Sequence, residues 1–202
     1  MNKYISEFLG TFLMVLIGCG SIAIGWSPIM VSLSFGFAVF LAIMIFQPIS
    51  GAHINPAVSI AFAANGQLDK KLLPGYITAQ CFGGFVAALI VYDGATTVSV
   101  GLSEAFFIEI CITLLLMYSI HILVNYNVNL LTLSLGVGFM VALLAFIFGS
   151  YTGAGMNPAR SLGPNIVNSS GNLFLYVVAP VIGAVISNFI ALPNDELPLQ
   201  HD

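Results

Sequence analysis

Asn-Pro-Ala occurs at Asn55-Pro56-Ala57 and again 102 positions later at Asn157-Pro158-Ala159, at matching places in a duplicated unit. Glu7 precedes Asn55 by 48 residues, and Glu109 precedes Asn157 by the same 48. A threonine follows each glutamate four residues on, at Thr11 and Thr113. Gly36 and Gly138, Gly51-Ala52 and Gly153-Ala154, and Ser59 and Ser161 keep the shift. One such tripeptide arises by chance in roughly a few per cent of chains this long. Two in register within a repeat require a fold built from two copies of one device.

That fold has to be covered by lipid. Of the 202 residues, 59% are hydrophobic and 6% charged, whereas a soluble domain carries about 25% charged residues. A water-facing surface cannot be made from this inventory. The four basic residues cannot form a phosphate-tracking patch, so no nucleic-acid partner is expected. Cys19, Cys81 and Cys111 lie inside apolar runs without metal-ligand spacing and read as small apolar fillers. No nucleophile–base pair, phosphate loop or carboxylate dyad stands out, so neither an enzyme nor a metal or cofactor is expected.

Six apolar runs are long enough to span a hydrocarbon core of ~30 Å. They lie near 4–26, 28–46, 72–92, 103–124, 129–148 and 173–192. The first is too long for a signal peptide and has a counterpart in the second half. Two shorter pieces, from Pro56 to about Ala64 and from Pro158 to about Val167, reach only about half the core. Proline suits the first helical turn and asparagine is a good N-cap, so each Asn-Pro-Ala starts a half-helix. The glycine- and alanine-rich segments before them are re-entrant chain, tolerated in a membrane where buried in protein or lining water. The fold expected is an all-α membrane protein of six transmembrane helices and two re-entrant half-helices. The chain 1–202 reads as one domain, with repeats at about 1–95 and 96–192 and a short tail at 193–202.

Three spans per repeat is an odd number, so the second repeat enters from the opposite side. The two half-helices then meet near the midplane, as in inverted-repeat transporters. Lys3, Lys70 and Lys71 fall on one side, which places both termini in the cytoplasm. Small residues at Gly36, Gly138, Gly83-Gly84 and Gly183-Ala184 mark close helix approach.

Two half-helix N-termini aimed at one point carry about half a positive charge each, hostile to cations. The Asn55 and Asn157 amides can cap their helices and offer donors to the gap, or tie the half-helices together. Arg160, the sole arginine, has Val58 at the matching place in repeat one. Arginine stays charged, and within a membrane it is a functional-site candidate or a snorkelling cation. Glu7 and Glu109 are expected to accept hydrogen bonds from their re-entrant loops, with a proton relay as the alternative. His53 is a hydrogen-bonded loop residue or a lining donor. His121 is expected at the membrane interface.

The stretches from Ser50 to Val58 and from Gly155 to Pro164 resemble the two signature loops of the aquaporin, or major intrinsic protein, family. The Glu-x-x-x-Thr pairs, Ala79-Gln80 and Ala179-Pro180 agree with it. The resemblance covers nearly the whole chain. It implies a homotetramer with a pore in each subunit, in a plasma or inner membrane, passing water and small neutral solutes. It also places the narrow filter at Phe35, Ala145, Ala154 and Arg160. Strict water channels usually have histidine where Ala145 stands, and glycerol facilitators have aspartate where Ser161 stands. Two alanines imply an opening wider than a water-only filter. Met156, the Ser161-Leu162-Gly163-Pro164 run and Tyr176-Val177 resemble the nodulin-like branch, which implies glycerol, urea or metalloid hydroxides as further solutes. The 93–102 connection is short for the family and implies a less covered outer vestibule. A strictly water-selective channel and a secondary transporter are the competing readings; a transporter needs coupling acids near the midplane, which the sequence does not offer.

Overall fold

Chain-local signals set where each helix begins and ends. The computed structural model describes residues 2–190, and the expected segment beyond 190 lies outside the described residues. Its helices are α1 (Lys3–Ala23), α2 (Pro28–Ser50), α3 (Pro56–Ala64), α4 (Leu73–Val91), α5 (Leu102–Asn125), α6 (Leu130–Thr152), α7 (Pro158–Val167) and α8 (Leu173–Ile190). All but α3 and α7 are long and apolar enough to cross a membrane. The 21 residues of α1 extend about 31 Å, whereas the nine of α3 extend about 14 Å.

Asn55 caps α3 by accepting from the Ala57 N–H at 2.9 Å, and Asn157 caps α7 by accepting from Ala159 at 2.9 Å. Pro56 and Pro158 occupy the first turn, where an amide hydrogen is not required. At the other boundary, α2 and α6 run four residues beyond the ends expected at 46 and 148. Pro48 removes one donor without breaking α2. Each helix stops only where a glycine turns left-handed, Gly51 (φ +86) and Gly153 (φ +74), and the glycine N–H closes on Gln47 O or Gly149 O at 2.9 Å.

Helix packing is paired by the repeat. α1 lies on α4 and α2, and α5 lies on α8 and α6. α2 and α6 pack on each other across the relation between the halves. Each half-helix is held mainly by the opposite repeat, α3 on α8 and α7 on α4. The result is an inverted repeat with both half-helices inside a frame of six spanning helices.

In a bilayer, van der Waals fit replaces the hydrophobic effect as the driving force between helices. Gly36 and Gly138 meet backbone to backbone, since a Cβ on either would lie 2.5 or 2.6 Å from the other's carbonyl oxygen. Gly83 admits the Phe8 carbonyl, Gly84 that of Ala159, and Gly183 that of Ile110. The large apolar side chains left outside, including Phe37, Phe82, Phe107, Phe139 and Phe189, are each more than half exposed and cover the outer face. That face suits hydrocarbon rather than water.

Candidate pore and its re-entrant loops

The two re-entrant loops share one unusual backbone. Ala52 (φ 47) and Ile54 (φ 46) are left-handed, and so are Ala154 (φ 44) and Met156 (φ 47) at the matching positions. Left-handed non-glycine residues cost on the order of 1–3 kcal/mol each and persist only where their surroundings hold them. Here the holders are the two buried glutamates. Glu7 accepts from Ser50 Oγ (2.7 Å), His53 N (3.0 Å), Ile54 N (2.6 Å) and Gln80 Nε2 (2.7 Å). Glu109 accepts from Thr152 Oγ1 (2.6 Å), Gly155 N (2.8 Å) and Met156 N (2.9 Å). Tyr76 and Tyr176 brace the same places, each donating to a carbonyl, Ser50 O or Thr152 O, at 2.6 Å. The loop N–H groups thus find acceptors in protein, which a membrane interior demands.

The half-helix N-termini meet. Asn55 Nδ2 donates to Met156 O at 3.0 Å, and Asn157 Nδ2 donates to Ile54 O at 2.8 Å. One hydrogen of each amide therefore ties the loops together, and the oxygen of each caps its own helix. The second hydrogen of Asn157 has Met14 Sδ at 3.7 Å, a weak acceptor. Both asparagines line a cavity of about 1440 Å³. That cavity is bounded at one end by Asn65, Gln67 and Asp69, and at the other by Trp26, Ala95 and Thr97. Phe35, Val39 and Ile43 of α2 give it apolar lining, and residues 51–55 and 153–157 of the re-entrant loops line it as well.

Phe35, Ala145, Ala154 and Arg160 all line this cavity. Arg160 is 5% exposed, so it does not snorkel to headgroups. Its Cζ lies 4.7 Å from the Phe35 ring centroid, and its Nη1 donates to Gly94 O at 2.8 Å. No carboxylate forms an ion pair with it among the described residues. Cation–π contact and one carbonyl leave the charge unneutralised beside the lumen. Gly18 makes the Phe35 position, since a Cβ there would lie 2.2 Å from the ring. Cys19, Cys81 and Cys111 do not line the cavity, and Cys19 packs behind Gly94.

The histidines differ from expectation in one case. His53 Nδ1 lies 3.1 Å from Ser59 Oγ, and the residue also lines the cavity. His121 is buried rather than interfacial, 2% exposed, with Nε2 at 2.8 Å from Asn188 Oδ1. Its ring stands edge-on to Phe62 at 5.6 Å, and it too lines the cavity. His121 stands four residues, about 40° around the helix, after the buried Met117. The repeat is also imperfect. Ser59 Oγ receives Gln80 Nε2 at 2.8 Å besides its His53 contact. Gly155 and Pro180 stand at the matching places and offer no side-chain donor, and Ser161 Oγ is buried without a hydrogen-bond partner among the described residues.

The 93–102 connection packs inward at its centre. Thr96 is fully buried, and Ala95 and Thr97 on either side of it line the cavity. Sequence reasoning did not find Gly94, Thr96, Asn165, Asn188 or Met14.

Six helices of membrane-crossing length, with two half-helices joined inside a cavity that passes between them, define a transmembrane channel. The family model for major intrinsic proteins matches residues 1–191, and the chain belongs to that family. It is 34% identical to "Glycerol uptake facilitator protein-like 6" of Lactiplantibacillus plantarum over 209 residues, covering 95% of this chain and 97% of the relative. It is 35% identical to aquaporin NIP1-2 of Oryza sativa subsp. japonica, covering 92% and 70%. The X-ray structure of the aquaglyceroporin from Plasmodium falciparum superposes with a TM-score of 0.85 at 31% identity, covering 92% of each chain. The protein is accordingly an integral membrane channel for water and small solutes.

Proposed function

We propose that the channel passes water and uncharged solutes of glycerol size while excluding protons and ions, and that Phe35, Ala145, Ala154 and Arg160 form its filter. The observation that carries the reading is the junction itself: two half-helix N-termini facing each other beside the lumen, with Asn55 and Asn157 at their tips. A water molecule arriving there meets N–H donors and two positive dipole ends. It is oriented with its oxygen toward them and its hydrogens outward, which interrupts a proton wire. Arg160 adds a fixed cation, an established barrier in aquaporin-type pores. Ala145 and Ala154 present methyl groups only, which leaves room for a solute wider than water. A relative named as a glycerol uptake facilitator and an aquaglyceroporin structure support the wider solute range.

Both termini are proposed to be cytoplasmic, in a plasma or inner membrane, and four copies to assemble around separate pores. Proteoliposomes carrying the purified protein test the solute range by comparing water, glycerol, urea and arsenite permeability in the same vesicles. Glycerol flux well above that of empty vesicles supports the wide filter. Water flux alone would reduce the protein to a strict water channel.

A further inference from the structure

Among the described residues the Arg160 guanidinium has one hydrogen-bonded anchor, the carbonyl of Gly94. That carbonyl belongs to the connection between α4 and α5, so its position is only as fixed as this irregular chain. Tyr92 (φ 57) and Gly94 (φ 85) are both left-handed, and the backbone has no helix or strand to hold it. It is pinned two residues further on. Asn165 Oδ1 accepts from Thr96 N at 2.7 Å and from Thr96 Oγ1 at 3.2 Å. Asn165 Nδ2 lies 3.0 Å from Thr96 Oγ1 and 3.3 Å from Thr96 O. Both residues are buried, Asn165 at 1% exposed and Thr96 at 0%. The pair is enclosed from two sides: a Cβ on Gly171 would lie 2.2 Å from Asn165 Nδ2, and one on Gly153 would lie 3.2 Å from Thr96. Cys19 Sγ also reaches Gly94 O, at 3.7 Å, as a weak donor, and Ser99, bonded to the carbonyls of Ser150 and Tyr151, is exposed and five residues from Gly94.

We propose that Asn165 is a positioning residue of the filter: by clamping Thr96 it fixes Gly94 O, and through that carbonyl it holds the Arg160 side chain against the wall beside Phe35. Asn165 stands five residues after Arg160 on the same half-helix. One rigid element thus carries both the cation and the clamp for the cation's acceptor. Without the clamp, Gly94 O drifts and the guanidinium, having lost its anchor, swings into the lumen. A swinging side chain obstructs the wider solute before it obstructs water. The inference rests on Arg160 being part of the filter, as proposed above.

The test is the glycerol-to-water permeability ratio in proteoliposomes for the parent, Asn165→Ala, Arg160→Val and the double variant. Asn165→Ala is expected to lower the ratio roughly three- to tenfold, the range set by losing a net hydrogen bond or two from the open arrangement. Arg160→Val is expected to raise it. In the Arg160→Val background, Asn165→Ala is expected to change nothing, because no side chain is left to swing. Thr96→Val, which keeps the N–H and the shape but removes Oγ1, shifts the ratio the same way and less. It carries the test should Asn165→Ala fail to fold. An unchanged or raised ratio in Asn165→Ala, or an equal fall in both backgrounds, overturns the positioning role. If Arg160→Val itself leaves the ratio and the proton tightness of the vesicles unaltered, the filter reading fails instead.

Discussion

Arg160 and Ala145 both line the lumen, and the proposed filter uses the first for its charge and the second for the room it leaves. Arg160 is buried, stacked on Phe35 and bonded to Gly94 O, and its charge is unmatched by any ion pair among the described residues. Arg160→Val should therefore keep water flux within a few-fold of the parent while vesicles lose their proton or cation tightness. Collapse of an imposed pH gradient, followed with an internal dye, measures this; a mutant as tight as the parent contradicts the electrostatic role. Ala145→His adds a ring to the same lumen. Water needs a narrow file and a few donors, whereas glycerol has to fit past the ring, and each ~1.4 kcal/mol of steric barrier lowers a rate tenfold. The glycerol-to-water ratio should fall at least tenfold, and an unchanged ratio in folded protein removes Ala145 from the filter. Ala154 makes a third test. The cysteines lie off the cavity, so mercurials should inhibit the parent weakly and Ala154→Cys strongly. Strong inhibition of the parent would mean that one of Cys19, Cys81 or Cys111 reaches the lumen.

The half-helices were legible because their signals are local. Asn-Pro sets an N-cap and a first turn within two residues, so 56–64 and 158–167 emerge at the positions the sequence suggests. The ends of α2 and α6 were less legible, since Pro48 resembles a helix stop while the stops are the left-handed Gly51 and Gly153. The Thr96–Asn165 clamp was not legible at all. Its partners are 69 residues apart, one of them on the irregular connection between α4 and α5, and have no periodic relation. His121 was misplaced because a histidine near a helix end suggests an interface, whereas here it lies on the buried side of α5 beside Met117 and Ile120. The strained loops lean on their carboxylates. Glu109→Gln puts an amide NH₂ where an oxygen accepts from Thr152 and Gly155 or from Met156, leaving a buried N–H unmatched at about 1–3 kcal/mol. For a chain of this length the Tm should drop by roughly 2–10 °C, measurable by thermal unfolding in detergent. An unchanged Tm with altered proton flux would instead make the carboxylate a relay.

At the scale of the whole molecule, duplication explains why a chain with so few polar groups can still build a selective path. Each repeat supplies a frame of three helices and one half-helix, and each half-helix is held chiefly by the other repeat. Neither junction nor lumen exists in one repeat alone. The path's polarity comes from backbone turned inward, from two asparagines, and from polar side chains without a symmetric counterpart, Arg160, His53 and His121 among them. A rocking transporter would need coupling groups along the path. The two buried membrane carboxylates, Glu7 and Glu109, are committed to the loops. The most direct measurement records water efflux and proton flux together in proteoliposomes, by stopped-flow light scattering and an internal pH dye, against empty vesicles. The expected result is water flux raised in proportion to the protein, unsaturable and with a low activation energy, while the proton permeability stays at the level of the empty vesicles. Water movement that saturates, or that carries protons with it, would contradict a passive, proton-tight channel.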